Sequence, residues 1–191
     1  GQQGRQRGHA RAAMGERVSQ FVPAHPIAGK ETGGIEHAQA TLYQGRTTIL
    51  TPLEPNAPRL LERAQAAWES VGSRVVQMSP EAHDQTFAAV SHLPHLLAFA
   101  YIHGLMDQGP QALQQHLSVA GPGFRDFSRI AGSTSAIWRD IFSANRDEVL
   151  AQLAQFEWAL SQFKQDLAGG RDDQLAARVD AASAIRSRWS T

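Results

Sequence analysis

The sequence predicts a mainly α-helical protein with a small α/β segment at its front. Strand-like runs are confined to the residues before 79, whereas from Ser79 onward apolar side chains recur at three- and four-residue steps, the period of an amphipathic helix. In the front segment a pair of strand-like runs flanks one helical pattern, an order that implies a parallel crossover. A chain of 191 residues can bury a sizeable core as one domain or two small ones.

Residues 1–9, "GQQGRQRGH", hold no large apolar side chain and are expected to be disordered. Residues 10–18 permit a helix, "VSQFVP" reads as a short strand on Val18, Phe21 and Val22, and "LYQGRTTIL" (42–50) as a second. In "NAPRLLERAQAAWESVG" Asn56 is the capping candidate. Leu60, Leu61, Ala64, Trp68 and Val71 form the apolar face, and Gly72 the stop. "RVVQM" (74–78) is a third strand. Ser79 and Pro80 then cap and open a helix towards Met106, which Pro94 should kink or break at "SHLPH", splaying the histidines on either side.

"GPG" (121–123) begins the segment "FRDFSRIA". After "GSTS" (132–135), with Ser133 or Ser135 as cap, one long helix is expected to run to Gly169-Gly170. In it Val149, Leu153, Phe156, Leu160, Phe163 and Leu167 make a heptad-like stripe that fits either packing within the chain or a dimer seam. The last helix, from Asp172 to Trp189, carries Leu175, Val179, Ala182, Ile185 and Trp189 on one side.

The 18 basic and 18 acidic side chains cancel, so no overall field draws the chain to nucleic acid or an anionic membrane surface. Cysteine is absent, which removes disulfides, thiolate catalysis and sulfur-ligated zinc and fits a cytoplasmic protein. No apolar run approaches the roughly 20 residues of a membrane helix.

Four features could carry chemistry. His25 stands at a corner between Ala24 and Pro26, where a ring of near-neutral pKa serves either structure or acid–base work. His83 and Asp84 are adjacent. His92 and His95 stand three apart, a spacing that could offer two imidazoles to a metal with His83 or Asp84 nearby; Pro94 and the lack of a completing carboxylate argue against a metal site. Arg125 and Arg129, four apart with Asp126 between them and flanked by Phe124 and Phe127, could clamp a carboxylate or join internal salt bridges with Asp126 or Asp140.

Taken together, "HPIAGKE", "SPEAHDQTFAAVSHLPH" and "GFRDFSRIAGSTSAIWRDIFSANR", in this order and separation, resemble the prephenate/arogenate dehydrogenase family of tyrosine biosynthesis. The resemblance runs from about Ala10 to the C-terminus. It implies that residues 1–78 are the C-terminal remnant of a Rossmann-type nucleotide-binding domain and that 79–191 are a helical substrate-binding and dimerisation domain. It also implies the family's reaction, oxidative decarboxylation of prephenate (or arogenate) with NAD or NADP, in a homodimer with tyrosine as a candidate inhibitor.

By the same resemblance His25 accepts the proton of the substrate hydroxyl, and Arg129 binds a substrate carboxylate. His95 contacts the substrate side chain, and Trp138 reaches the site from a partner subunit. Glu31 pairs ionically at the site mouth, while His83, Asp84, His92, Arg125 and Asp126 support the site from behind. Two features depart from the family pattern. The glycine-rich nucleotide fingerprint is absent, and where an Asp-x-Gly-Ser-x-Lys motif is expected the chain has Gly4 at the serine position and Gln6 at the lysine position. These departures imply a truncated chain, inactive alone. The alternative reading is a non-catalytic helical dimerisation or ligand-sensing module that binds tyrosine-like acids.

Overall fold

The structure, a computed structural model, describes residues 10–28, 36, 38–53 and 56–189. The expected disorder of residues 1–9 and the expected gating residue Glu31 therefore lie outside the described residues. The chain divides into two compact units, Gly1–Val149 and Leu150–Thr191.

In the first unit residues 10–14 are helical and continue into a 3-10 turn, Gly15–Gln20. Val18, expected in a strand, is buried in this turn. The Phe21 N–H donates to the Val18 carbonyl and closes the turn, so extended backbone starts only at Phe21 and the strand itself, β1, is Ala24–Pro26. The strand β2 is Thr47–Leu50, shorter than the expected 42–50. Hydrogen bonds from Leu42 N–H to Gln39 O and from Gln44 N–H to Thr41 O fold the earlier residues into turns, and Gly45 adopts a φ of +68° that β-branched residues resist.

Helix α1, Pro58–Ser70, leads to β3, Arg74–Gln77. Asn56 does not cap α1, since Ala57 holds that position. Its side chain instead accepts from Leu53 N–H at 2.7 Å and donates to the carbonyls of Ser19 and Phe21 at 3.0 and 3.1 Å, tying the 3-10 turn to the loop after β2. The sheet order is β1-β2-β3, with β1 antiparallel and β3 parallel to β2, as the strand–helix–strand order predicts. β2 is covered on both faces, with Thr48, Ile49 and Leu50 all buried, and His25 stands opposite Ile49.

Ser79 caps α2, Pro80–Phe87, by accepting from Ala82 N–H at 3.1 Å. The expected disruption by Pro94 takes a specific form. Residues Ala88–His92 make a π-helical turn in which Leu93 N–H bonds to Ala88 O, and α3, Leu93–Met106, starts afresh. The wider turn puts Pro94 in the first turn of α3, where its missing donor costs little.

Helices α4, Pro110–Ser118, and α5, Pro122–Ser128, follow, then a 3-10 turn, Arg129–Gly132, and α6, Ser135–Ala144. Neither expected serine caps α6. Thr134 occupies the cap position, and the Ser133 hydroxyl donates back to Ile130 O at 2.9 Å. The expected single long helix is two, because Asn145 (φ −117°, ψ 31°) separates α6 from α7, Arg146–Ala168.

The second unit holds the rest of α7, the Gly169-Gly170 stop and α8, Asp172–Arg188. The buried Asp166 carboxylate accepts from Arg178 Nε at 2.6 Å and Arg171 Nε at 2.9 Å, which clips the turn between the two helices. These partners, Arg178 first, hold its pKa below the usual carboxylate range. Of the heptad stripe, Leu160 and Leu167 are 54% and 66% exposed within the chain.

Candidate active site

The strand β1 delivers His25 to the N-terminal helix of the helical segment. His25 Nδ1 lies 2.8 Å from His83 Nε2, and the His25 ring packs on Phe87 with centroids 4.6 Å apart. His83 and Phe87, four apart on α2, share one face and stack at 4.5 Å. His83 is fully buried, and its Nδ1 lies 3.1 Å from Asp84 Oδ1, a carboxylate that is itself buried. The three polar groups thus form a line from the interior, Asp84, through His83, to the less buried His25. Burial, and then His83, push the His25 pKa below the ordinary 6.5, so its ring is a neutral base near pH 7.

The π turn places His92 beside this line. Its pKa is lowered to about 4, first by burial and then by His83, with Asp84 opposing. Asn145 Nδ2 donates to the Asp84 carbonyl at 2.8 Å and meets His92 Nδ1 at 3.2 Å, so the break between α6 and α7 is tied to α2 and to the π turn. Asn145, fully buried, has no counterpart among the residues singled out from the sequence. The signal was present, since asparagine is a poor helix interior residue and Asp147 and Glu148 behind it mark a first turn.

Trp138, from α6, is buried and stacks on His95 with centroids 3.8 Å apart, while His92 meets the same indole edge-on at 6.2 Å. One expectation changes here. The histidines flanking Pro94 converge on one ring, because the π turn absorbs the disruption that would have splayed them. His95 Nδ1 lies 2.9 Å from Ser91 O. A carbonyl only accepts, so this nitrogen carries the hydrogen, and a neutral His95 keeps a lone pair on Nε2.

The arginine segment is anchored as its sequence predicts, with Phe124 and Phe127 against Tyr101 of α3 at 6.1 and 5.4 Å. Arg129 opens the 3-10 turn that packs on α3, the helix carrying His95. Arg125 and Asp126 are exposed, and Asp140 pairs with its neighbour Arg139 on the surface. Among the described residues no three histidine, aspartate or glutamate side chains converge to hold a metal. Nor, among them, is any helix long and apolar enough to cross a membrane.

A short α/β sheet thus feeds a helical segment, with His25 at the junction against His83 and Phe87. Residues 79–180 match the family model described as prephenate dehydrogenase, dimerization domain, and residues 8–77 match the one described as prephenate dehydrogenase, nucleotide-binding domain. The chain belongs to the prephenate dehydrogenase family.

Cyclohexadienyl dehydrogenase of Zymomonas mobilis is 32% identical over 155 residues, covering 81% of this chain and 53% of the relative; prephenate dehydrogenase of Bacillus subtilis is 34% identical over 140 residues, covering 69% and 35%. The chain thus spans about half or less of these relatives' length. Among solved structures, prephenate dehydrogenase of A. aeolicus in complex with hydroxyphenyl propionate and NAD+ superposes with a TM-score of 0.84 at 36% identity, over 93% of this chain and 60% of that one. Synechocystis arogenate dehydrogenase superposes at 0.81 and 26% identity, over 93% and 66%.

Proposed function

We propose that the protein carrying this chain catalyses the oxidative decarboxylation of prephenate, or of arogenate, to the corresponding phenol, with a nicotinamide nucleotide, NAD or NADP, as the oxidant. The observation that carries this reading is His25: a half-buried imidazole of lowered pKa on a family motif, backed at 2.8 Å by a second imidazole. It would take the proton of the ring hydroxyl as the substrate is oxidised. Arg129 would bind a substrate carboxylate through charge-assisted hydrogen bonds. His95, its Nε2 left as an acceptor, would meet the substrate side chain, with Trp138 holding that ring in place. Glu31 would modulate access.

In this reading residues 1–78 belong to the nucleotide fold and 79–191 to substrate binding and dimerisation, which the family matches over 8–77 and 79–180 support. The described residues do not supply the nucleotide's phosphate cradle. The β2–α1 connection contains Pro52, Pro58 opens α1, and no glycine-rich turn leads from a strand into a helix among the described residues. An inhibitory tyrosine, if it shares this site, would use the same Arg129, since it offers a phenol ring and a carboxylate.

Joined to a nucleotide-binding half, the chain should convert prephenate to 4-hydroxyphenylpyruvate, and His25→Asn should lower the rate by about 10²–10⁴-fold, the usual contribution of a general base. Unchanged turnover in His25→Asn would remove the assignment. A folded dimer that binds tyrosine-like acids but turns nothing over would favour the ligand-sensing reading.

A further inference from the structure

Within the reading just proposed, the buried pair behind His25 has a definite chemical task. A carboxylate oxygen can only accept, so the 3.1 Å contact between Asp84 Oδ1 and His83 Nδ1 requires the hydrogen on that nitrogen. A neutral imidazole has one N–H, which leaves a lone pair on His83 Nε2. The 2.8 Å contact of that nitrogen with His25 Nδ1 then needs a hydrogen from His25. The opposite order, with His83 donating to His25, would set the lone pair of His83 Nδ1 against the carboxylate in a site closed to water.

We propose that His83, oriented by Asp84, locks His25 as its Nδ1–H tautomer and so makes Nε2 the atom that takes the substrate proton. His83 is a positioning residue, acting through His25 and not on the substrate. When the hydroxyl proton moves to Nε2, the O–H bond breaks, an N–H bond forms and His25 becomes an imidazolium. Its existing Nδ1–H bond to His83 becomes charge-assisted without any change of partner. The site therefore needs no rearrangement as charge develops. The groups facing this line are His83 and Asp84 from α2 and His92 from the π turn.

The tautomer can be read directly. Long-range proton–nitrogen NMR correlations of the 15N-labelled chain at neutral pH should show His25 with a protonated Nδ1 and a lone-pair-type Nε2. His83→Phe, which keeps the ring stacked on Phe87 but removes the acceptor, should lose this single form. His83→Gln, whose amide oxygen can accept from His25, should restore it. A His25 that is Nε2–H in the unaltered chain, or one that stays fully Nδ1–H in His83→Phe, would overturn the proposal. If His83→Phe does not fold, the unaltered chain and His83→Gln decide it. The spectrum contains no substrate, so a lock found in a chain that binds no substrate-like acid would leave the tautomer assignment standing and remove the proposed function, and the reverse result would do the opposite.

Discussion

At His92 the folded chain keeps an imidazole whose pKa is lowered to about 4, first by burial. The folded value lies below the unfolded 6.5, so the unfolded chain binds the proton first. Stability is then fully present above about pH 6.5 and falls as the pH drops towards 4. The gap corresponds to roughly 3 kcal/mol once both states are protonated. His25 is lowered in the same sense and adds to the loss. Urea unfolding followed from neutral to acid pH should show the midpoint falling through this window, and a flat midpoint would contradict neutral, buried imidazoles. The same direction moves the acid limb of activity, over which His25 loses its proton and turnover rises, to lower pH than an unperturbed imidazole would give.

Single residues were legible where their chemistry is local. His25, His83, Asp84 and His92 could be named because imidazoles and carboxylates are few and stand in recognisable motifs. That His25 and His83, 58 positions apart, share a hydrogen bond depends on the crossing of β1 and α2, which no spacing in the chain encodes. Trp138 and His95 join for the same reason, through the packing of α6 on α3.

Among the elements, the π turn and the α6–α7 break act as one device. The turn absorbs Pro94 and presents His92, and Asn145 at the break reaches both His92 and the Asp84 carbonyl. Asn145→Ala should destabilise the chain by about 1–3 kcal/mol, because it removes the hydrogen bonds that buried groups make to this side chain. Denaturant unfolding measures this; a change under about 0.5 kcal/mol, the surface-substitution range, would mean the bridge does not hold the helices. Periodicity found the helices of this region but not the break, since the apolar pattern continues across Asn145. The early strand was misplaced because three apolar residues near a proline suit a 3-10 turn as well as a strand, and the Asn56 bonds that decide between them are long-range.

On the scale of the whole molecule, the division into a small sheet and a helical remainder was readable from composition and period alone, because strand signals stop at Ser79. In the second unit Leu160 and Leu167, seven apart on one stripe of α7, are 54% and 66% exposed, apolar side chains that a second copy of the chain would cover. Sedimentation should find a dimer, and Leu160→Glu should shift it towards monomer. A monomer at all concentrations would return the stripe to a role within one chain.

The proposed aromatic-acid site on Arg129 and His25 is tested most directly by calorimetric titration with hydroxyphenyl propionate. Saturable binding is expected, weakened by Arg129→Ala about 10- to 150-fold, the equivalent of 1.5–3 kcal/mol for a lost charged hydrogen bond. Binding unchanged by Arg129→Ala, or no binding by the folded chain, would contradict it.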